Sequence, residues 1–228
     1  MSPQSEPIPD DIVIIGDSAF AEIACEYFTH DSSHEVVAFA VESEFRESDR
    51  LLDRPVVDFE TVEEQFPPDE FSAFVAVAYT DCNRLRERFC IEAKEKGYSL
   101  ATYVSSHAFV WNESSLGENC FIFENNVVQP FTEIGNDVIL WSGNHIGHHS
   151  NIDDHCFISS HVVISGFVSV GRNCFIGVNA TVADNTDIGE YCLIGADTTI
   201  LGDTADEEVY GSSQSELKPY SSTEYFSE

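Results

Sequence analysis

The sequence predicts a two-part fold: a small α/β domain on a parallel, Rossmann-like sheet over residues 11–103, then a parallel β-helix over residues 104–202. Two observations carry the second part. From Val104 to Ile200 every sixth residue is valine, leucine or isoleucine without a miss, and glycine often follows, as at Gly117, Gly135, Gly147, Gly171, Gly177, Gly189 and Gly195. Neither the period of a helix nor that of a lone strand yields this register, whereas a sustained period of six marks a β-helix. Three hexads close one triangular coil of 18 residues, and the cysteines test that closure independently. Cys120, Cys156, Cys174 and Cys192 are spaced 36, 18 and 18, with Val138 filling the gap, so they form one inward ladder of small apolar groups. The first part rests on strands alternating with helices, which implies a parallel sheet covered on both faces.

The elements follow in order. Residues 1–10, with Pro3, Pro7 and Pro9, read as a flexible leader. Ile12–Ile15 reads as a buried strand running into the turn Gly16-Asp17-Ser18, and residues 19–29 carry helical apolar spacing through Phe20, Ile23, Ala24 and Tyr27. Glu35–Val41 is a second strand and Pro55–Val57 a short third. Thr61–Gln65 is a short helix stopped by Pro67-Pro68, Phe71–Tyr79 an apolar strand, Asn83–Lys96 a helix closed by Gly97, and Leu100–Val104 a last strand entering the repeat. After Ile200 the period stops. Residues 203–228 are acidic and serine-rich, with Val209-Tyr210-Gly211 the one packable stretch, and read as a capping segment followed by an acidic tail.

Composition narrows the function. The chain has 228 residues, 43% of them hydrophobic, enough for a core in one large or two small domains. No run approaches the roughly 20 apolar residues of a membrane span, and no basic segment leads an apolar one at the N-terminus, so a cytosolic location without membrane contact is expected. Four of seven cysteines lie on the ladder, Cys25 and Cys90 fall on apolar helix positions, and no CxxC occurs, which predicts reduced, buried thiols. A net charge of −31 with ten Lys and Arg argues against nucleic acid as a partner. The acid is spread along the chain, which fits an acidic proteome in a salty cytoplasm that screens self-repulsion.

The chemistry concentrates in Gly143-Asn144-His145-Ile146-Gly147-His148-His149-Ser150 and, beyond it, His155 and His161: five of eight histidines within 17 residues. One reading is metal binding, as in the zinc-dependent γ-class carbonic anhydrases. His149, His155 and His161 each lie three residues after their aliphatic marker, however, so they occupy three corners of the triangle and converge only if neighbouring subunits meet. The other reading is a general base taking a proton from an attacking amine or hydroxyl. Gly166, after Ser165, lies one coil above His148, where its N–H would meet the oxyanion of an acyl transfer. The Gly16–Ala21 turn has one glycine where a dinucleotide fingerprint has three, which argues against a redox dinucleotide and leaves either a small nucleotide-sugar site or an ordinary structural turn.

Over residues 11–211 the chain resembles the sugar O- or N-acyltransferases of the left-handed β-helix (hexapeptide-repeat) superfamily, in the sialic-acid acetyltransferase and bacillosamine-type aminosugar acetyltransferase group. The likeness lies in the α/β N-terminal domain, the Asn83-Arg84 helix, the Ser106-His107-Ala108 entry to the prism and the histidine coil. It implies a homotrimer with sites between prisms, acetyl-CoA as co-substrate, no metal, and a nucleotide-activated sugar as acceptor. By position it implies His148 as base and Gly166 as oxyanion donor; His149 and Asn144, in the same histidine coil, are taken as candidate supporting residues. Acetyl-CoA contacts fall at Gly177, Val178, Gly195 and Ala196, and sugar-nucleotide contacts at Gly16, Asp17 and Ser18. The chain departs from the family in four places: Gly147 and His149 flank the base where relatives often carry a carboxylate, Phe157 replaces a second histidine, Gly16-Asp17-Ser18-Ala19-Phe20 stands where the family has a glycine-rich turn with a histidine, and Arg172 is the prism's only cation to meet CoA phosphates. The alternatives are a zinc hydratase of the carbonic anhydrase type and a non-catalytic prism that binds a nucleotide sugar.

Overall fold

The computed structural model describes residues 9–225 except 113, 214, 216–218 and 220. Most of the leader expected over residues 1–10, and much of the tail, lie outside the described residues. In the N-terminal domain β1 (Asp11–Ile15), α1 (Ala19–Asp31), β2 (Glu35–Val41), β3 (Arg50–Leu51), β4 (Arg54–Asp58), α2 (Val62–Gln65), β5 (Ser72–Val75) and α3 (Arg84–Glu95) build a five-stranded sheet of order β3-β4-β2-β1-β5. The β1–β2, β1–β5 and β2–β4 pairings are parallel. Helix α1 covers one face, with Phe20, Ala24 and Phe28 against Ile12, Ile14, Phe39 and Phe74. Helices α2 and α3 cover the other, with Val62, Phe89 and Ala93 against Val13, Ile15 and Val75.

Three details differ from the sequence expectation. Strand β3 pairs antiparallel with β4 through a tight turn at Leu52 and Asp53, whose φ values are 46° and 60°. Its two residues carry no apolar alternation that would mark a strand. Strand β5 covers less than half of the apolar run Phe71–Tyr79. Its one strand neighbour in the sheet is β1, with only a single bridge at Ala73 on its other side, so it stops where β1 stops, at the bond from Ala76 N–H to the Ile15 carbonyl. The strand expected over Leu100–Val104 is broken: Leu100 bridges to Ala73 of the first sheet, while Tyr103–Val104 already pairs with Phe121–Ile122 of the prism.

The repeat folds as predicted, into three parallel sheets of seven, six and five two-residue strands. The first face starts at Tyr103–Val104, the second at Phe109–Val110 and the third at Ser115–Leu116. Residues 18 apart stack, as in Ile139 on Phe121 and Phe157 on Ile139. The first, second and third edges follow the first, second and third faces, and from Asn119 to Asp197 the edge residue three after the marker takes positive φ, for example Asn125 (60°), Phe131 (63°), Asp137 (56°), His149 (59°) and Phe167 (57°). Asparagine and aspartate adopt that conformation readily and aromatics do not, so the aromatic corners are strained positions.

Every marker from Ile122 to Ile200 is buried, and Val104, on the terminal strand of the first face, is 37% exposed. Cys120, Val138, Cys156, Cys174 and Cys192 are fully buried on one interior ladder. Each of the four thiols also donates to a carbonyl near the next coil, such as Cys120 to Gly135 at 3.1 Å and Cys156 to Gly171 at 3.2 Å. Burial pushes the Cys120 thiol up to about 12, so it stays protonated. At the far end Val209–Tyr210 adds a last strand to the first face beside Leu193–Ile194, and Thr204 N–H bonds the Asp187 carbonyl, closing a partial final coil.

The N-terminal domain docks on the first face and on the third edge. Phe121, Phe123, Ile139 and Phe157, all on the prism, share one core with α1 and the sheet. Asp31 at the end of α1 accepts from Tyr103 Oη (2.6 Å), Ser105 Oγ (3.2 Å) and Ser106 N–H (2.9 Å), and these donors hold its carboxyl well below the usual range. At the third edge the guanidinium of Arg86 lies fully buried against Asp137.

Candidate active site

His148 and His149 stand on the second edge, in the turn after the strand His145–Ile146 of the second face. Both side chains are exposed. Their Nδ1 atoms are 3.1 Å apart with the rings nearly perpendicular, at 87°. His149 is clamped between aromatics of the coils on either side: Phe167 stacks on it at 4.7 Å and 17°, and Phe131 lies at 4.7 Å and 40°. His148 meets Phe167 edge-on at 5.2 Å, and its backbone N–H donates to Gln129 Oε1 at 3.0 Å. Gly166 passes against the His148 ring one coil on. A Cβ there would come within 2.7 Å of Cε1 and 3.0 Å of Nε2, so only glycine leaves the ring its place.

Three parts of the expected site are arranged differently. The Gly166 N–H is not free: it donates to Asp184 Oδ1 at 3.2 Å. The 18-residue repeat is the cause, because a carboxylate or amide side chain one coil on caps edge amides elsewhere too, as Asn136 does for Glu118 and Asp154 for Asn136. Asp184 itself is exposed. Asn144 is 1% exposed and turned into the prism, where it donates to the Trp141 carbonyl and accepts from Val162 N–H, both bonds that hold the coil and leave no polar end for the histidines. Arg172 is held by Glu87 of α3 rather than standing free for a phosphate.

The five clustered histidines do not converge. His155 lies on the third edge, 2.8 Å from Asp137 Oδ2 and 3.8 Å from Glu87 Oε1, as part of the domain junction. His161 lies on the first edge against Gly143, where a Cβ would come within 2.6 Å of its Nδ1. Among the described residues no three His, Cys, Asp or Glu side chains form a group able to hold a metal. Phe157 packs against Tyr79 and Phe175 in a three-ring cluster, again at the junction.

Gly177, Val178, Gly195 and Ala196 lie on the first edge, one edge away from His148. Gly177 is buried under the next coil, where a Cβ would meet Ala196 N at 2.5 Å, and Val178 exposes its side chain beside it. Gly16, Asp17 and Ser18 line a third place, a cavity of about 600 Å³ at the carboxyl ends of the N-terminal strands, together with Glu42, Phe45 and Arg88. Gly16 has φ 118°, and a Cβ would press on the Ala76 carbonyl at 2.9 Å, so glycine is required there by conformation and by space. The one cation of that cavity, Arg88, is gripped by both oxygens of Glu42, at 2.8 and 3.1 Å.

Sequence reasoning missed Gln129, Phe131, Phe167 and Asp184. The signal for three of them was present: Phe131, His149 and Phe167 are 18 apart, as are Gly166 and Asp184.

Residues 131–166 and 167–202 match the bacterial transferase hexapeptide (six repeats) model, so the prism carries the hexapeptide repeat of that class. Among solved structures the chain superposes on a variant of perosamine N-acetyltransferase from Caulobacter crescentus in complex with CoA and GDP-perosamine. The two are 25% identical, with a TM-score of 0.78, over 87% of this chain and 92% of that one. The acetyltransferase domain of PglB from Neisseria gonorrhoeae shares the fold at 21% identity and a TM-score of 0.79, covering 88% of this chain and 95% of that one. WeeI from Acinetobacter baumannii shares it at 16% identity and a TM-score of 0.67, covering 88% and 96%. No curated protein matches the chain in sequence. The architecture is therefore that of the two-domain, left-handed β-helix acetyltransferases, across nearly the whole chain.

Proposed function

We propose that this chain is an acetyl-CoA-dependent sugar acetyltransferase in which His148 is the general base. The observation that carries the reading is the exposed His148 ring lying over the backbone of Gly166, on an edge otherwise built of tightly bonded turns. Acetyl-CoA supplies the thioester and the leaving thiolate. His148 Nε2 takes the proton from the acceptor amine or hydroxyl as its nitrogen or oxygen bonds to the acyl carbon. The same proton returns from His148 to the sulfur as the carbon–sulfur bond breaks. The Gly166 N–H, once Asp184 turns away, faces the negative charge that builds on the carbonyl oxygen.

A homotrimer is part of the reading. The base, the first-edge residues Gly177, Val178, Gly195 and Ala196, and the cavity of Gly16, Asp17 and Ser18 lie apart on one chain, and packing prisms side by side would bring one chain's edge beside its neighbour's. The acceptor we favour is a nucleotide-linked amino sugar, as in the GDP-perosamine complex of the Caulobacter enzyme. In the N-terminal cavity, Asp17, Glu42 and Glu44 would accept from the hydroxyl and amine groups of such a ligand, its diphosphate lying outside this acidic lining. The seven unpaired thiols suit a reducing, cytosolic compartment, and no described helix is long and apolar enough to cross a membrane.

The test is mass spectrometry of reactions with acetyl-CoA and a set of nucleotide-linked amino and deoxy sugars in KCl, run beside His148→Ala. An acetylated product that needs the intact histidine supports the reading and names the acceptor. A well-folded His148→Ala protein with unchanged turnover overturns it.

A further inference from the structure

We propose that His149 is a positioning residue, its Nδ1 accepting the Nδ1–H of His148 and so fixing the base in the tautomer whose Nε2 is bare. The inference rests on the reading of His148 as general base and deepens it. The Nδ1–Nδ1 distance of 3.1 Å is that of a hydrogen bond, and two imidazole nitrogens share one only if one ring donates and the other accepts. The direction follows from what each ring faces. The His148 ring presents Cε1 to Gly166, 2.7 Å from the point where a Cβ would stand, with Nε2 at 3.0 Å and Nδ1 at 3.2 Å; His149 engages Nδ1, so Nε2 is the nitrogen left for a substrate. A base must offer an unprotonated nitrogen there, which puts the hydrogen on Nδ1 and makes His149 the acceptor.

His149 is built for that task. Phe131 and Phe167 hold its ring on both faces, so the plane of the acceptor is set before any substrate arrives. An imidazole acceptor also orients the base without adding another anion to a chain of net charge −31. A base held in one tautomer and one orientation spends no time in unproductive states, which is where positioning acts on rate.

Two substitutions separate orientation from stacking. His149→Phe keeps the aromatic column and removes the acceptor, and phenylalanine is tolerated in this turn, since Phe131 and Phe167 occupy it one coil away at φ 63° and 57°. His149→Asn keeps an acceptor oxygen and loses the stacking, and asparagine already fills the same turn at Asn173, Asn179 and Asn185. The full chain is labelled with 15N-histidine, the His148 ring signals are assigned by their loss in His148→Ala, and the tautomer is read where both rings are neutral. The expected result is the Nδ1–H form in the wild type and in His149→Asn, with a shift toward Nε2–H in His149→Phe. With acetyl-CoA and GDP-perosamine as probes, kcat falls about tenfold or more in His149→Phe at little-changed KM, while His149→Asn stays within about threefold of the wild type. An unchanged His148 tautomer in His149→Phe, or equal activity losses in both variants, overturns the proposal. If the wild type acetylates neither GDP-perosamine nor any sugar of the wider set, the acyltransferase reading fails by itself, and the tautomer measurement still decides the pair.

Discussion

Arg86 Nε meets Asp137 Oδ1 at 2.8 Å with the two side chains 0% and 1% exposed, and this pair fastens the N-terminal domain to the prism. The guanidinium also donates to the carbonyls of Ala78 (2.8 Å), Asp137 (3.1 Å) and His155 (3.1 Å), while Asn119 Nδ2 shares Asp137 Oδ1 at 2.8 Å. A fully buried ion pair is tolerable only when satisfied this completely, and removing one partner strands the other charge out of water.

Arg86→Ala should therefore lower stability by about 3–5 kcal/mol in denaturant unfolding. The double variant Arg86→Met/Asp137→Leu should lose less than the sum of the two single variants, because neither charge is then left alone. Additive losses would mean that the pair is not coupled.

Asp31 predicts an acid dependence. Its carboxyl is held low by the hydrogen bonds from Ser106, Tyr103 and Ser105, so the folded state keeps it ionised where the unfolded chain has already taken a proton. A depressed folded value contributes stability that is complete above the ordinary aspartate range, near pH 4, and is lost as pH falls through the folded value. The melting-temperature gap between wild type and Asp31→Asn should be widest at neutral pH and close steadily below about pH 4. A gap independent of pH would show that the contact does not depend on the charge.

Gly166→Ala places a methyl 2.7 Å from His148 Cε1. Among the neighbouring atoms nearest it, the ring is an exposed side-chain end that can swing away, so the melting temperature should hardly change. The base moves by the order of an ångström, which costs about 100-fold in rate when alignment matters. Equal loss of stability and activity would argue for a structural glycine only.

Asp184→Ala frees the Gly166 N–H. If the amide serves the acyl group, kcat/KM for acetyl-CoA should rise a few-fold in this variant and stay near wild type in Asp184→Asn, whose side-chain oxygen can still occupy the amide. A fall in both would make Asp184 a supporting residue of the coil instead.

The prism was legible because its period is enforced residue by residue: each marker must fill the same interior site, and the cysteine ladder repeats at 18. The domain order was legible from strand and helix alternation. What could not be read were contacts between segments distant in sequence. Nothing about Arg86 and Asp137, 51 positions apart, marks them as partners until α3 docks on the third edge. His155 and Arg172 looked like free functional groups for the same reason, and the docked helix takes both. Asp184 is different, since the 18-residue rule places it over Gly166, and its signal is polar in a repeat whose period is written in apolar residues.

Salt supplies the last prediction. The chain carries 41 Asp and Glu against ten Lys and Arg, and a compact state with that imbalance repels itself. The exposed ion pairs, such as Lys94–Glu118 and Arg46–Asp49, are each worth about 0–1 kcal/mol and weaken with salt. Repulsion among the uncompensated acids is the larger effect, so the melting temperature should rise with KCl. The Debye length falls from about 10 Å at 0.1 M to about 3 Å at 1 M, so most of the gain should come below 1 M and flatten beyond it. A melting temperature that fell over that interval would refute adaptation to a salty cytoplasm, and a rise that began only in the molar range would point to general exclusion of salt from the surface rather than to screened charge.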